Sequence, residues 1–126
     1  MACKTTEEVI NLSQQVGLPR FQNKWRVYYG HPKRPNYLLY FSNDPIFSGN
    51  PEGLADKMMT EYVFDRVARA GEGVLDPCIG KGLTAKMAHK FGMVCYGVEL
   101  NAKRLKVTIE WLINHGYPLE GNLSTL

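Results

Sequence analysis

A strand that runs into a glycine-rich turn and then into a helix constrains the fold of this chain most. The sequence VLDPCIGKGLTAKMA, residues 74–88, starts with a short apolar run, passes an Asp-Pro step and two glycines, and continues with residues typical of a helix. A second apolar run, MVCYGVEL, follows, and an amphipathic helical pattern comes after it. Strands that alternate with helices in this way predict a parallel sheet. We therefore expect an α/β fold with a mostly parallel sheet.

The length of the chain, 126 residues, predicts a single domain. Aromatic and β-branched runs in its first half predict a pair of strands, joined by the basic loop HPKRP. The expected parts of the domain are an N-terminal helix (1–20), a strand pair with the loop NDPIF (21–50) and a helix–strand–helix–strand–helix segment (51–126).

The N-terminal helix has a clear start signal and an apolar stripe. Thr5 and Glu8 have the spacing of a capping box, in which side chains satisfy the free amides of the first turn. Val9, Leu12 and Val16 recur at helical spacing. These residues therefore form an apolar stripe on one side of the helix.

Composition and charge exclude several classes of protein. The net charge of +3 permits an anionic partner without requiring one. No apolar run approaches the roughly 20 residues of a membrane span, and the N-terminus lacks the apolar stretch of a secretion signal. The 3 cysteines have no paired spacing and indicate neither a disulfide framework nor a zinc site. We therefore expect a cytoplasmic protein without a membrane partner or a metal.

The turn after residue 76 carries the groups that a nucleotide-like ligand needs. Gly80 and Gly82 let a ligand approach the backbone closely, and Thr84 stands where it can cap the next helix. Asp76 and Glu99 fall at the carboxyl ends of neighbouring strands, where parallel sheets bind ligands. Glu99 can accept hydrogen bonds from two ribose hydroxyls. Two alternatives stay open: a turn that serves packing alone, and a different nucleotide-like ligand.

This segment resembles the S-adenosylmethionine-binding half of the DNA amino-methyltransferases, which modify adenine N6 or cytosine N4. Their first motif reads roughly D-P-F-x-G-x-G-T, and their second ends G-x-E. Here Asp76-Pro77 and the glycine pair match, Cys78 replaces Phe, and Thr84 follows one residue late. The resemblance implies a Rossmann-like, methyltransferase-type fold of reduced size, with S-adenosylmethionine as cofactor. It implies cofactor contacts from Asp76, Pro77, Cys78, Gly80, Gly82, Thr84, Glu99, Leu100 and Asn101.

A weaker match precedes the glycine turn. The family has a segment, roughly H-P-x-x-K-P-x-x-L, that introduces a helix over the methionine end of the cofactor. In SGNPEGLADKMMTEYV, Pro51 and Leu54 match, and Asn50 replaces His. A helix placed before the glycine turn is the motif order of the circularly permuted members.

The catalytic loop of the family reads D/N/S-P-P-Y/F/W. Its first side chain and a backbone carbonyl accept hydrogen bonds from the amine of a flipped-out base, and its aromatic ring stacks on that base. NDPIF is the nearest match, so the resemblance implies catalytic roles for Asp44, Pro45 and Phe47, although Ile46 replaces the second proline. The alternative is a turn with Phe47 packed inward.

The resemblance implies an enzyme that transfers a methyl group from S-adenosylmethionine to an exocyclic amine of a DNA base. One alternative is a catalytically reduced relative that binds the cofactor to regulate, to sequester it or to complete a partner subunit. Another is an enzyme that degrades the cofactor. The basic and aromatic residues of HPKRPNYLLYF suit contact with DNA, or else core packing. Few strands are predicted, which favours sheet extension by a homodimer or a partner subunit.

Overall fold

Helices and strands succeed one another along the computed structural model, which describes residues 5–30, 32–44 and 47–119. The chain divides into two compact units, one up to Tyr62 and the other from Val63 on. That all 126 residues form a single domain stays a prediction. The elements are α1 (Thr6–Gln15), β1 (Phe21–Tyr29), β2 (Arg34–Phe41), α2 (Asp56–Val67), β3 (Gly73–Asp76), α3 (Leu83–Lys90), β4 (Val94–Gly97) and α4 (Ala102–Asn114).

The first unit is built on an antiparallel hairpin of β1 and β2. Trp25 pairs with Leu38 and Val27 pairs with Asn36. Because successive side chains of a strand point to opposite faces, Trp25 and Val27 are buried together while Arg26 between them is exposed. The predicted strand pair is therefore present, with one apolar face.

The outer edge of β1 is covered by the segment that leads into α2. The amide of Tyr28 donates to the carbonyl of Leu54 (3.0 Å), and the amide of Gly53 donates to the carbonyl of Arg26 (2.8 Å). Tyr28 also pairs with Ala55 in a parallel bridge. Between Arg26 and Tyr28, backbone groups on this edge of the hairpin are thus paired with the chain's own backbone.

The N-terminal helix starts as predicted, but its apolar stripe does not form a core. Thr5 is the N-cap, and its hydroxyl oxygen accepts a hydrogen bond from the amide of Glu8 (3.2 Å). Leu12 and Val16 are exposed, whereas Ser13 is the buried residue of α1. The predicted helix is therefore present, and Leu12 and Val16 of its apolar stripe lie in solvent.

The second unit contains the predicted strand–helix–strand–helix order. β3 and β4 pair in parallel, with Val74 opposite Cys95 and Asp76 opposite Gly97, and α3 packs against β4. The α/β class is confirmed, and the sheets are small. Within the described residues the parallel arrangement is confined to β3 and β4, and the hairpin forms its own antiparallel sheet.

One face of the parallel strand pair is apolar and exposed. Leu75 lies opposite Tyr96 in the register, and Val94 and Val98 lie two positions to either side of Tyr96, on the same face. Leu75 is 67% exposed and Tyr96 is 61% exposed. Parallel sheets normally have both faces covered, so this surface, called here the open face (Leu75, Val94, Tyr96 and Val98), is unusual for its class.

Candidate functional site

The carboxylate of Asp76 organises the turn that follows β3. One oxygen accepts a hydrogen bond from the amide of Cys78 (2.9 Å), and the other accepts one from the hydroxyl of Thr84 (2.6 Å). The first bond closes the Asp-Pro turn, and the second ties α3 back to the end of β3. The helix-capping role predicted for Thr84 is wrong: Gly82 occupies the N-cap position without a side-chain cap, and the Thr84 hydroxyl is engaged by Asp76.

The glycine turn is held from the other side by α4. Gly80 and Gly82 have φ values of 52° and 87°, in the left-handed region that favours glycine. A Cβ on Gly82 would lie 3.1 Å from Cγ2 of Thr108, and the Thr108 hydroxyl donates to the carbonyl of Gly80 at 2.6 Å. Sequence reasoning missed Thr108, because one threonine within an amphipathic helix carries no pattern that marks a long-range contact.

Glu99 reaches back from the end of β4 to the glycine turn. One carboxylate oxygen accepts from the amide of Gly80 (3.2 Å), and the other accepts from the amide of Asn101 (3.0 Å). The Glu99 side chain is only 10% exposed, and the guanidinium of Arg104 lies 3.9 Å from one of its oxygens. Since an ionised carboxylate offers about four acceptor positions, Glu99 can hold the turn and still accept hydrogen bonds from a ligand.

Asn101 fixes the start of α4 next to this carboxylate. It is the N-cap, and its side-chain oxygen accepts a hydrogen bond from the amide of Arg104 (2.9 Å). The cap places the Asn101 amide toward Glu99 and the Arg104 guanidinium near it. The family motif pointed to Asn101, and the cap gives that residue a local structural reason.

Ile79 forms the apolar base of the turn. It is buried, its amide donates to the carbonyl of Val98 (2.8 Å), and the amide of Val98 donates to the carbonyl of Asp76 (2.9 Å). A Cβ on Gly97 would lie 2.9 Å from Cγ1 of Ile79. Gly97, Val98 and Glu99 match the G-x-E end of the second motif, and packing against Ile79 leaves no room for a side chain on this glycine.

Three other residues predicted to contact the cofactor, Pro77, Cys78 and Leu100, are exposed around this turn. Leu100 is 96% exposed and directly follows Glu99. An apolar side chain that is open to solvent beside a largely buried carboxylate can cover a flat ring whose polar substituents reach that carboxylate. The structure therefore brings the predicted cofactor residues together, while their contacts with a ligand stay a prediction.

The predicted catalytic loop lies on the hairpin of the first unit. The ring of Phe47 packs against Trp25 and Tyr40, with ring centroids 5.4 and 5.3 Å apart. Asp44 is exposed, and its main-chain carbonyl accepts a hydrogen bond from the side-chain amide of Gln22 (2.9 Å). Pro45 lies outside the described residues. Phe47 is thus packed inward, as in the alternative in which this loop is a turn without a catalytic role. The catalytic roles of Asp44, Pro45 and Phe47 stay predictions.

The described residues also bear on metal binding and on membrane spanning. Within them, no group of three or more His, Cys, Asp or Glu side chains could hold a metal ion. Over the same ranges, no helix combines the length and apolar character needed to cross a membrane.

The second unit has a Rossmann-like strand–helix–strand arrangement, and comparison with known proteins finds some that are similar to the chain. No family model matches the chain. Over 105 residues it is 32% identical to the orphan methyltransferase M.BamHII of Bacillus amyloliquefaciens, covering 83% of this chain and 36% of that protein. The chain thus spans about a third of the length of the curated relative it matches.

The fold is similar to that in the crystal structure of the M1.HpyAVI–SAM complex. The TM-score is 0.64 at 14% sequence identity, and the match covers 87% of this chain and 71% of the other. This similarity confirms the reduced Rossmann-like α/β fold. Together with the sequence match, it confirms the predicted resemblance to the S-adenosylmethionine-dependent DNA methyltransferases.

Proposed function

We propose that the protein binds S-adenosylmethionine at the turn between β3 and α3 and transfers its methyl group to an exocyclic amine of a DNA base. The observation that carries this proposal is the position of Glu99. Its carboxylate is held against the amide of Gly80 at the carboxyl end of the parallel strands, where sheets of this class bind ligands. The sequence match to a methyltransferase supports the same function.

The residues around the turn fit the parts of the cofactor. Both oxygens of Glu99 retain acceptor positions for the ribose hydroxyls. Gly80 and Gly82 present main chain without a Cβ, so the methionine part can approach closely. Leu100 offers an exposed apolar surface for the adenine ring. Asp76 holds the shape of the turn with its two oxygens, and each of them keeps an acceptor position for the cofactor.

When bound, the cofactor supplies a methyl group activated by the adjoining sulfonium. The chain itself then has to position the amine that receives this methyl group, in line with the bond that breaks. The exposed carboxylate of Asp44 accepts a hydrogen bond from the amine, as does the carbonyl of Pro45, and Phe47 offers its ring for stacking on the base. These contacts free the nitrogen lone pair to form the new N–C bond as the S–C bond of the sulfonium breaks, leaving a neutral thioether. The proton released from the amine passes to solvent, so no general base of raised pKa is required.

Calorimetry with S-adenosylmethionine tests the cofactor site. We expect micromolar binding to the wild type and at least about tenfold weaker binding to Glu99→Ala, because hydrogen bonds to a charged group are lost. Lys103→Ala, which changes an exposed residue of α4 outside the site, serves as control. The absence of binding to the wild type would overturn the proposal.

A methyl-transfer assay on unmodified DNA tests the reaction. We expect transfer by the wild type and a loss of about a hundredfold or more with Asp44→Ala, since a group that positions the acceptor is removed. The same variant should bind the cofactor normally. If full transfer survives in Asp44→Ala, the catalytic assignment of Asp44 is wrong.

The second candidate is a catalytically reduced protein that binds the cofactor and needs a second polypeptide chain to act on DNA. The open face favours this candidate, since four apolar side chains are left uncovered on the sheet that carries the site. Cofactor binding without transfer by the isolated chain would support it. Breakdown of the cofactor in the absence of DNA would instead indicate the cofactor-degrading alternative.

DNA as a partner is supported by the hairpin. The guanidinium of Arg26 donates to the hydroxyl of Tyr37 (3.3 Å), and the ammonium of Lys24 lies 5.3 Å from the centroid of the same ring. Basic groups around an exposed ring suit phosphate contact combined with base stacking. An affinity for single-stranded DNA that falls steeply with salt is the expected behaviour.

A further inference from the structure

Gln22, on β1, makes an unusual set of contacts with the loop that carries Asp44. Its side-chain amide nitrogen donates to the carbonyl of Ser42 (2.9 Å) and to the carbonyl of Asp44 (2.9 Å). A primary amide has two N–H donors, so both are used on this loop. No motif in the sequence marks Gln22, because its partners lie about twenty positions away along the chain.

The other half of the same amide is left without a partner. The side-chain oxygen of Gln22 is buried and accepts no hydrogen bond within the described residues. A buried acceptor without a partner costs about 1–3 kcal/mol and is rare in native structures. The amide is therefore oriented so that its two N–H groups can donate to the carbonyls of Ser42 and Asp44, although its oxygen then has no partner among the described residues.

The far end of the same loop is also attached to the hairpin. Phe47 packs against Trp25 and Tyr40, and these rings together with Phe21 and Gln22 line an open cleft of about 400 Å³. A volume of this size suits one small planar ligand. The loop is thus fixed at Asp44 by hydrogen bonds and at Phe47 by ring packing, beside a cleft walled by aromatic side chains.

We propose that Gln22 is a positioning residue for methyl transfer: by holding the Asp44 carbonyl, it fixes the Asp44 side chain relative to the acceptor amine. This inference rests on the proposed function of Asp44. Catalysis by positioning is sensitive to small displacements, and a shift of about 1 Å can reduce the rate about a hundredfold. Gln22 itself need not touch the substrate.

Three substitutions test whether the N–H donors of Gln22 matter or only the size of its side chain. Gln22→Met keeps a similar volume without donors. In Gln22→Glu, the ionised side chain places carboxylate oxygens, which can only accept hydrogen bonds, against the carbonyls of Ser42 and Asp44. Gln22→Lys keeps N–H donors and has no acceptor oxygen, so it also removes the unpaired atom. We expect kcat to fall about 30- to 100-fold in the first two variants and to stay within about threefold of the wild type in Gln22→Lys.

Comparison of kcat with KM and with the thermal midpoint distinguishes a loss of positioning from a general loss of folded structure. KM for S-adenosylmethionine and the thermal midpoint of Gln22→Met should stay close to the wild-type values. If Gln22→Met retains full kcat, or if Gln22→Lys is as impaired as Gln22→Met, the proposal is overturned. A fall in kcat that merely follows a loss of folded protein would overturn it as well.

A measurement that needs no activity keeps this inference separable from the proposed function. Nitrogen-15 relaxation reports the order parameter of the Asp44 amide, which should fall in Gln22→Met and be restored in Gln22→Lys. If the wild type transfers no methyl group, the proposed function fails, and the relaxation result still decides whether Gln22 holds the loop. Equal order parameters in all variants would overturn that part.

Discussion

At the scale of single residues, the two carboxylates at the strand ends both hold the glycine turn, each through different donors. The oxygens of Asp76 are engaged by Cys78 and Thr84, so this carboxylate shapes the turn. Glu99 is held by Gly80 and Asn101 yet retains acceptor positions on both oxygens. Asp76 likewise accepts one hydrogen bond on each oxygen, so the number of hydrogen bonds does not separate the two carboxylates, and the proposal of Glu99 as the ribose-binding group rests on the family resemblance.

Removing the hydroxyl of Thr84 should weaken the turn. Thr84→Val keeps the shape of the side chain but leaves one oxygen of Asp76 without this donor. A hydrogen bond to a charged group contributes about 1.5–3 kcal/mol, so we expect the free energy of unfolding to fall by about 2 kcal/mol. Urea denaturation measures this fall, and Thr84→Ser, which keeps the hydroxyl, is the control. Equal stability of the Val and Ser variants would contradict the assigned bond.

Asp56 should make stability depend on acid pH. Its side chain accepts a hydrogen bond from the ammonium of Lys33 and another from the amide of Gly30 (3.0 Å). The Lys33 bond, and after it the Gly30 bond, lower the pKa of Asp56 below its ordinary value. A carboxyl whose pKa is lowered by folding stabilises the folded state above its unfolded pKa, and this contribution is lost as pH falls through the folded pKa.

Comparison with Asp56→Asn isolates that contribution. Between pH 7 and pH 5 the wild type should be the more stable protein by urea denaturation. As pH falls below about 4, near the ordinary pKa of Asp, the difference should shrink. Asparagine also tolerates the left-handed backbone found here, where φ is 42°. A difference that stays constant from pH 7 to pH 2 would show that the charge of Asp56 is not its source.

At the scale of secondary-structure elements, Gly97 couples the end of β4 to the turn after β3. The φ of Gly97 is not in the left-handed region, so its backbone conformation would permit other residues. A side chain is excluded because neighbouring atoms already fill the space. Gly97→Ala would bring a methyl group 2.9 Å from Cγ1 of Ile79. Overpacking of this kind typically costs about 1–3 kcal/mol, and we expect a loss of stability in that range.

A double-mutant cycle tests whether Ile79 is the cause. The destabilisation by Gly97→Ala should be clearly smaller in an Ile79→Ala background, because most of the crowding atoms are then absent. Urea denaturation of the four proteins gives the coupling free energy. If Gly97→Ala costs the same in both backgrounds, the clash with Ile79 does not explain the glycine.

Helices, strands and caps can be predicted from the sequence where the residues that determine them are close together along the chain. The cap at Thr5, the strand–turn–helix order around Asp76 and the place of Glu99 at a strand end depend on neighbouring residues and on periodicity. The contact of Thr108 with Gly80 spans 28 positions, and the choice of Thr84 between a helix cap and Asp76 depends on tertiary geometry. These could not be predicted from spacing.

The apolar stripe of α1 illustrates a different limit. Its period correctly predicts a helix with one apolar side, but the pattern does not say whether another element packs on that side. Leu12 and Val16 are exposed. The hairpin shows the opposite case, since the alternation of β1 does correspond to burial of Trp25 and Val27.

At the scale of the whole molecule, the chain carries the candidate cofactor site on a very small sheet. It spans about 36% of the length of M.BamHII, and its parallel sheet has two described strands with an open face. Isolated two-stranded sheets are only marginally stable. The apolar side chains of the open face gain free energy when another surface covers them.

We expect a second copy of the chain to cover this face, because a two-fold contact would bury the same apolar patch on both copies without a further partner. Sedimentation should show a dimer at tens of micromolar, and Leu75→Lys or Tyr96→Lys should shift it to the monomer, since a charge would have to be buried at the interface. Val107→Lys, on the exposed surface of α4, removes similar apolar area elsewhere and should leave the dimer intact. A wild-type monomer at these concentrations would exclude the homodimer. The open face would then be a surface for a different subunit, and the second candidate function would require that subunit for methyl transfer.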